Sequence, residues 1–569
     1  MTAREIIEYM ESLQNMKRLE SFLMLCVVSL VAMAVPAKPG IWKTLTLKDG
    51  TEVRAQLKGD EFTHYWMTAE GHQFVKEGDV YVEVDKAALA RRGMKRRVAA
   101  QTSIKTRRVS PGSHTHYIGT KKGLVILVNY QDVKFKSTNN KGKYEKILNT
   151  EGYTTSEGFK GSVADYFKAQ SNGQFGVEFD VYGPVTLAHE QKYYGENNED
   201  GEDMRPEDMV VEACRAINSQ VNFHDYDWDG DGEVDVVYVV YAGKGEASGG
   251  SDNTVWPHMY ELELCNINLF LDNVQINTYA CSNEIDYYSK IEGIGGICHE
   301  FSHCLGYADL YDVVNGSMVT LEEYDIMDAG LYNGNGFVPA GYSAYEKWMA
   351  GWIELTKLSD KDVIVKGLEP VSEGGGGYII YNDGHPDEYY IIENRQQTNW
   401  DAHIPGKGLM ITHVDYDEQL WYLNVPNSIL NNTSYYVTAY GYPTNDHSRL
   451  NIFRADDKEK SSTSSLANDL YPYLGNDSLT ATSKPAATFY NMNKQGDKLM
   501  HGGILDITQN SKGTMSFVYR SPTTDTGIHE VLSAGDKIPS VVYDLQGRRV
   551  SEGALRKGIY LINGKKVLQ

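Results

Sequence analysis

Cysteine is scarce in this chain, with six in 569 residues. Cys26 falls in an apolar N-terminal run, which leaves Cys214, Cys265, Cys281, Cys298 and Cys304. An odd number this sparse excludes a disulfide framework. Cys298 and Cys304, six positions apart on a helix, would lie about 9 Å apart and point in different directions, too far to bridge. One disulfide among Cys214, Cys265 and Cys281 is left open. Positive charge is also short: 54 Lys and Arg face 77 Asp and Glu, a formal charge of −23. That argues against a nucleic-acid binder, which needs a basic face, and fits a soluble protein outside the cell. No internal repeat of fixed period is present.

The apolar run from Phe22 to Val35 is too short for a comfortable membrane span. It follows Met16-Lys17-Arg18 and ends at Ala32-Met33-Ala34, the pattern of a signal peptide with a small-residue cleavage site. Residues 1–37 therefore read as a leader with its start at Met16 and a precursor beginning near Val35. Contact with a membrane is then expected only through the signal peptide or export machinery. Leu25 is a poor lipobox residue ahead of Cys26, so lipidation is not expected.

The stretch that carries chemistry runs from Ser289 to Asp312, SKIEGIGGICHEFSHCLGYADLYD. Residues four apart share one face of a helix, so His299 and His303 can offer two imidazoles to one metal ion, with Glu300 at the edge of that face beside any bound water. Ile291, Ile294, Cys298, Phe301 and Leu305 recur at helical spacing. At about 100° per residue that stripe lies roughly opposite the histidines, predicting one face in a core and the other lining a cleft. Ser289 and Glu292 have capping-box spacing and predict the helix start. Gly306 is placed to end the helix in a left-handed turn, so that the chain doubles back and brings Asp309 to the same metal.

Around this stretch the chain divides by composition. Residues 42–84 alternate short strand-like runs with turns, Lys48-Asp49-Gly50 among them, and read as a small β-rich unit. Residues 91–108 hold eight Lys or Arg and no acid, a flexible linker suited to proteolytic processing, which makes 38–115 a propeptide. From Gly123 the pattern is α/β. Leu124–Val128 and Val234–Tyr241 are apolar runs of buried-strand length, and Phe175–Val181 is a third strand. Gly161–Gly173 and Pro206–Asn218 read as helices, the first with Ser162 and Asp165 at capping spacing. Strands alternating with helices place an α/β subdomain just before the histidine helix, within a catalytic domain at 116–425. Residues from Tyr378 turn β-rich, 426–522 read as a further β-rich domain, and 525–569 as a separate β unit of two strand pairs.

Between helix and strand, Asp225, Asp227, Asp229, Asp231, Glu233 and Asp235 alternate around Gly230 and Gly232. Carboxylates this dense repel unless a hard cation gathers them, and the start matches D-x-D-x-D-G of a calcium loop. Val236 stands where an EF-hand has its twelfth-position Glu. The expectation is calcium on Asp225, Asp227, Asp229, Asp231 and Asp235 without an EF-hand helix pair.

HEFSHCLGYADLYD with the following YDIMDAG resembles the immune inhibitor A family of secreted bacterial zinc endopeptidases, in the metzincin clan. The similarity extends over roughly residues 40–520 and takes in GLVILVNYQD, GSVADYFKAQSNGQ, the aspartate loop, Trp256-Pro257-His258, Glu388–Arg395 and GLMITHVD. The resemblance implies a metzincin-like α/β catalytic domain, preceded by a β-rich propeptide and followed by β-rich regions. It implies zinc on His299, His303 and Asp309, Glu300 as general base, Met327 in the turn beneath the metal, calcium at the aspartate loop and a secreted zymogen. Many metzincins have His where Asp309 stands, and some have a tyrosine where this chain has Ala329; Tyr332 is a nearby candidate for that role. Residues 525–569 resemble the C-terminal sorting domain of the type IX secretion system, which implies surface attachment or release. The function expected is hydrolysis of protein or peptide substrates. Rival readings are Asp312, Glu322 or Glu323 as third ligand, and a non-catalytic calcium-binding surface protein.

Overall fold

The computed structural model describes residues 33–89, 117–199, 201–314, 320–458 and 463–522, together with strand residues 542–544, 549–550, 559–562 and 565–568. Most of the leader run and the basic stretch 91–108 lie outside the described residues, as does Cys26.

Strand β1 (Met33–Ala34) is followed by a meander of β2 (Trp42–Thr46), β3 (Glu52–Gly59), β4 (His64–Met67), β5 (Gln73–Glu77) and β6 (Val80–Glu83). The five strands of the meander form an antiparallel sheet in chain order. The predicted turn joins β2 to β3: Gly50 takes φ +85°, and Asp49 accepts from Thr51 N–H at 2.9 Å. One face buries Leu45, Ala55, Phe74 and Tyr81, and the other Tyr65, Val75 and Leu89.

The site rests on the next layer. Strands β7 (Gly119–Asn129), β8 (Phe175–Thr186), β9 (Glu233–Val234), β10 (Val237–Lys244), β11 (His258–Glu261), β12 (Leu269–Leu271), β13 (Val274–Ile276) and β14 (Thr278–Ile285) follow in order. Interleaved with them are helices α1 (Lys141–Asn149), α2 (Val163–Gln170), α3 (Pro206–Ile217) and, after β14, α4 (Gly295–Cys304). The main sheet has the order β1-β11-β14-β10-β7-β8. Strands β8, β7, β10 and β14 run parallel, β11 is antiparallel to β14, and β1 is antiparallel to β11. The apolar runs explain the burial. Val125 and Leu127 pack with Ile147, Phe167, Cys298 and Phe301 on one side. Leu124, Ile126 and Val128 pack with Met209, Val210 and Ile217 on the other. So α1, α2 and α4 cover one face and α3 the opposite one, which is why these strands carry no polar alternation. Helix α2 is capped as its sequence predicts, Asp165 N–H donating to Ser162 Oγ at 3.1 Å and Ser162 N–H to Asp165 at 2.9 Å.

Beyond α5 (Ala344–Met349) come β15 (Leu355–Lys357), β16 (Val363–Leu368), β17 (Gly377–Tyr381), β18 (Glu388–Arg395), β19 (Gly408–Asp415), β20 (Leu450–Ile452), β21 (Leu479–Thr480), β22 (Gly503–Gln509) and β23 (Met515–Arg520). They build sheets β15-β17-β18-β19-β20 and β16-β23-β22-β21. Both sheets cross the expected boundary at 425/426, because β20 pairs with β19 and β16 pairs with β23. Residues 426–522 are thus interleaved with the preceding segment rather than a separate unit. The tail strands β24 (Val542–Asp544), β25 (Arg549–Val550), β26 (Ile559–Ile562) and β27 (Lys565–Leu568) pair in the order β25-β24-β26-β27. All five cysteines outside the leader are free thiols, so the disulfide left open among Cys214, Cys265 and Cys281 does not form.

Candidate active site

Helix α4 begins at Gly295, not at Ser289. The predicted capping box is replaced by a turn in which Ser289 takes φ +59° and Asp286 N–H donates to Lys290 O at 2.8 Å. Glycines force this. A Cβ on Gly295 would lie 1.8 Å from the Leu331 carbonyl oxygen, and one on Gly293 would lie 2.2 Å from Gly336 backbone. The chain passes too close to that backbone to continue the helix upstream. At the other end Gly306 takes φ +94°, its N–H donates to His303 O at 2.8 Å and Tyr307 N–H to Ser302 O at 3.2 Å. That is the left-handed stop its position predicts.

The apolar stripe packs as expected, but the histidine face is not open: His299, Glu300 and His303 are fully buried. Residues 33–38 cross it. Val35 N–H donates to Glu300 Oε1 at 2.6 Å, and Trp256 Nε1–H donates to Val35 O at 2.9 Å. Tyr332 donates its hydroxyl to Pro36 O at 2.5 Å.

The reversal at Gly306 carries Asp309 back over the helix. His299 Nε2 and His303 Nε2 lie 3.0 Å apart, and Asp309 Oδ1 is 3.3 Å and 3.2 Å from them respectively. The rings stand at 84° to each other. Each Nδ1 faces a carbonyl, His299 that of Ile326 at 2.7 Å and His303 that of Tyr307 at 2.9 Å. A carbonyl only accepts, so both Nδ1 atoms carry the proton and both Nε2 atoms present bare lone pairs. Three acceptors within this distance of one another need a cation between them. Ligands at 2.0–2.1 Å from a tetrahedral zinc stand about 3.3–3.4 Å apart, close to the spacing found here.

The carboxylate is held as firmly as the imidazoles. Asn424 Nδ2 donates to Asp309 Oδ2 at 2.7 Å, and Asp309 N–H donates to Asn424 Oδ1 at 2.7 Å. This leaves Oδ1 facing the two rings. Burial, then the charges of Asp309 and Glu61, pushes Glu300 well up. Burial lowers His303 despite Asp309 beside it.

Met327 lies in a turn joined to the ligand loop by Leu310 N–H donating to Met327 O at 2.8 Å. Asp325 Oδ1 accepts from Met327 N–H at 2.8 Å, and the next carbonyl, Ile326, is the one that holds His299. Arg395 fixes the turn from beneath. It makes two parallel bonds to Asp401, at 2.9 Å and 2.8 Å, and donates to Tyr324 O at 2.8 Å. Among the described residues, Asp309 is the carboxylate that joins the two imidazoles. Asp312 instead accepts from Val314 N–H at 3.2 Å. Glu322 and Glu323 sit on the turn Glu322–Tyr324, outside that group.

The aspartate loop gathers Asp227, Asp229 and Asp235, whose oxygens lie within 4.8 Å of one another. Asp227 also accepts from Gly230 and Gly232 N–H groups at 2.7 Å and 3.0 Å. Two of the five expected members stand apart: Asp225 pairs with Lys122 at 3.2 Å, and Asp231 accepts from Glu233 N–H at 2.9 Å.

Sequence reasoning missed Asn424 and Arg395, and it did not foresee the strand over Glu300. Asn424 lies 115 residues from its partner, a distance no local pattern reports. Arg395 stood at the end of the strand run EYYIIENR, and its only signal was an arginine two residues after Glu393.

Two imidazoles from one helix, a carboxylate from the following turn and a glutamate beside them define a metal-dependent hydrolase site. Residues 115–355 match the immune inhibitor A peptidase M6 catalytic domain. Comparison with curated proteins gave no match.

Proposed function

We propose that this chain is a secreted zinc endopeptidase with a metzincin-like catalytic domain, made as a latent precursor. The observation that carries the reading is the convergence of His299 Nε2, His303 Nε2 and Asp309 Oδ1 at 3.0–3.3 Å, next to Glu300. Zinc on those donors supplies a polarised scissile carbonyl and a water acidified to a pKa of about 7. Glu300 takes the proton of the attacking water and hands it to the leaving amine. The Ile326 and Tyr307 carbonyls keep both imidazoles in the metal-binding tautomer, and Asn424 keeps Asp309 aimed.

Latency follows from residues 35–38, which stay with the precursor when the leader is removed. While Val35 N–H is bonded to Glu300, the carboxylate is not available to water. Removal of this segment with the β-rich unit at 42–84 frees the helix face. We assign calcium to Asp227, Asp229 and Asp235, where it would brace the loop between α3 and β10. The tail at 525–569 serves export and surface attachment or release in this reading.

The test is Glu300→Ala, with variant and wild-type precursors both processed by an added protease before assay. The variant keeps its zinc and its near-UV circular dichroism and loses chelator-sensitive cleavage of casein. Retained cleavage overturns the assignment.

A further inference from the structure

Residues 35–38 are not draped over the site at random; they are held group by group. We propose that they lie on the track a substrate takes, so that the groups holding them set specificity. Trp256 and Tyr332 grip the carbonyls of the first two residues after the scissile bond, and Glu292 selects a basic side chain at the fourth. This rests on the peptidase reading above.

Direction and register support it. β1 pairs antiparallel with β11, the edge strand of the main sheet, with Met33 opposite Met259 and Ala34 opposite His258. An extended peptide adds to such an edge through main-chain hydrogen bonds that ignore its sequence. Position along the track is fixed by Glu300. The leaving nitrogen must come within reach of the group that protonates it, and Val35 N is 2.6 Å from Glu300 Oε1. Residue 35 therefore occupies the first place after the scissile bond, 36 the second and 38 the fourth.

Each place is distinct. The Val35 side chain is 2% exposed among the core residues, which fits an apolar side chain at the first place. Its carbonyl takes the Trp256 indole N–H. Pro36 has no N–H to satisfy, and its carbonyl takes the Tyr332 hydroxyl. Lys38 N–H donates to Ala247 O at 2.9 Å, which keeps the chain extended. Lys38 Nζ reaches Glu292 Oε1 at 2.8 Å, with both side chains 14% exposed. Glu292 is oriented for this: its Oε2 accepts from Ser248 Oγ at 3.1 Å and from Asn283 Nδ2 at 3.4 Å. A carboxylate fixed on one oxygen and presenting the other discriminates by charge.

The experiment measures kcat/KM of the processed enzyme on three fluorogenic peptides with valine at the first place. They carry Lys, Ala or Glu at the fourth. The expected order is Lys, then Ala, then Glu, spanning on the order of tenfold between the extremes or more. In Glu292→Lys the order reverses, which a merely misfolded enzyme cannot do, and in Glu292→Gln the discrimination between Lys and Glu collapses. Tyr332→Phe raises KM more than it lowers kcat. Equal cleavage of the three peptides by the wild type, an unchanged order in Glu292→Lys, or cleavage of casein but of none of the peptides overturns the proposal. Cleavage of neither casein nor peptides brings down the peptidase reading itself, and the proposal with it.

Discussion

Two clusters of acidic and imidazole ligands in this chain were visible as spaced motifs, and they fold into opposite surroundings. His299, His303 and Asp309 are buried, and each is oriented by a partner that leaves one lone pair aimed at a common point. Asp227, Asp229 and Asp235 lie in a half-exposed loop where backbone N–H groups already occupy several carboxylate oxygens. Glu388 is a third case. It lies beside His413 at 2.8 Å, yet Asn382, Tyr490 N–H and Asn491 N–H fill its remaining lone pairs. What separates a metal centre from a structural carboxylate is therefore the lone pairs left over, not the residue types. Burial raises the cost of leaving them unmatched.

The largest effect expected is on chemistry alone. Glu300→Ala should lower kcat/KM by about 10²–10⁴-fold on casein-derived peptides, with zinc content by mass spectrometry unchanged. Next comes Asn424→Ala, which touches no metal. Loss of an orienting partner should weaken zinc binding by about 10–100-fold in competition with a chelator, and an unaltered affinity would show that Asp309 needs no orientation. Asp227→Ala should act on stability. Calcium at a hundred times its dissociation constant stabilises by about 2.7 kcal/mol, so the wild type should gain roughly 3 °C in melting temperature with calcium. The variant should lose that gain, read by calorimetry with and without the ion.

The smallest effect concerns Glu388. Burial pushes its carboxyl up, but the hydrogen bonds from His413 and Asn382 prevail and bring it down to about 2. A folded-state value below the ordinary one of about 4.3 contributes stability above that value and loses it as the pH falls towards 2. The difference in melting temperature between wild type and Glu388→Gln should thus shrink as pH is lowered from about 4.5 to about 2. A constant difference across that window contradicts the assignment of Glu388 as a fully bonded carboxylate.

Legibility in the sequence followed the range of the interactions. The buried strands at 124–128 and 237–241, the capped helix at 163–170 and the stop at Gly306 are set by near neighbours, and periodicity and turn chemistry exposed them. The helix start was misread at Ser289, because the close approach of Gly293 and Gly295 to backbone more than thirty residues away overrides a local cap. Sheets that exchange strands across 425/426 could not be seen from composition, since each segment is β-rich by itself. The same holds for Asn424 and for the strand over Glu300, whose partner is 265 residues away. The ligands were readable. The groups that aim them were not.

The central claim is that two imidazoles and the Asp309 carboxylate hold the metal. It is tested most directly by zinc stoichiometry and X-ray absorption on the wild type and on Asp309→Ala, Glu322→Ala and Glu323→Ala. The account predicts one zinc with two imidazoles and oxygen ligands in the wild type, lost in Asp309→Ala and kept in both glutamate variants. Zinc retained in Asp309→Ala and lost with either glutamate would contradict it.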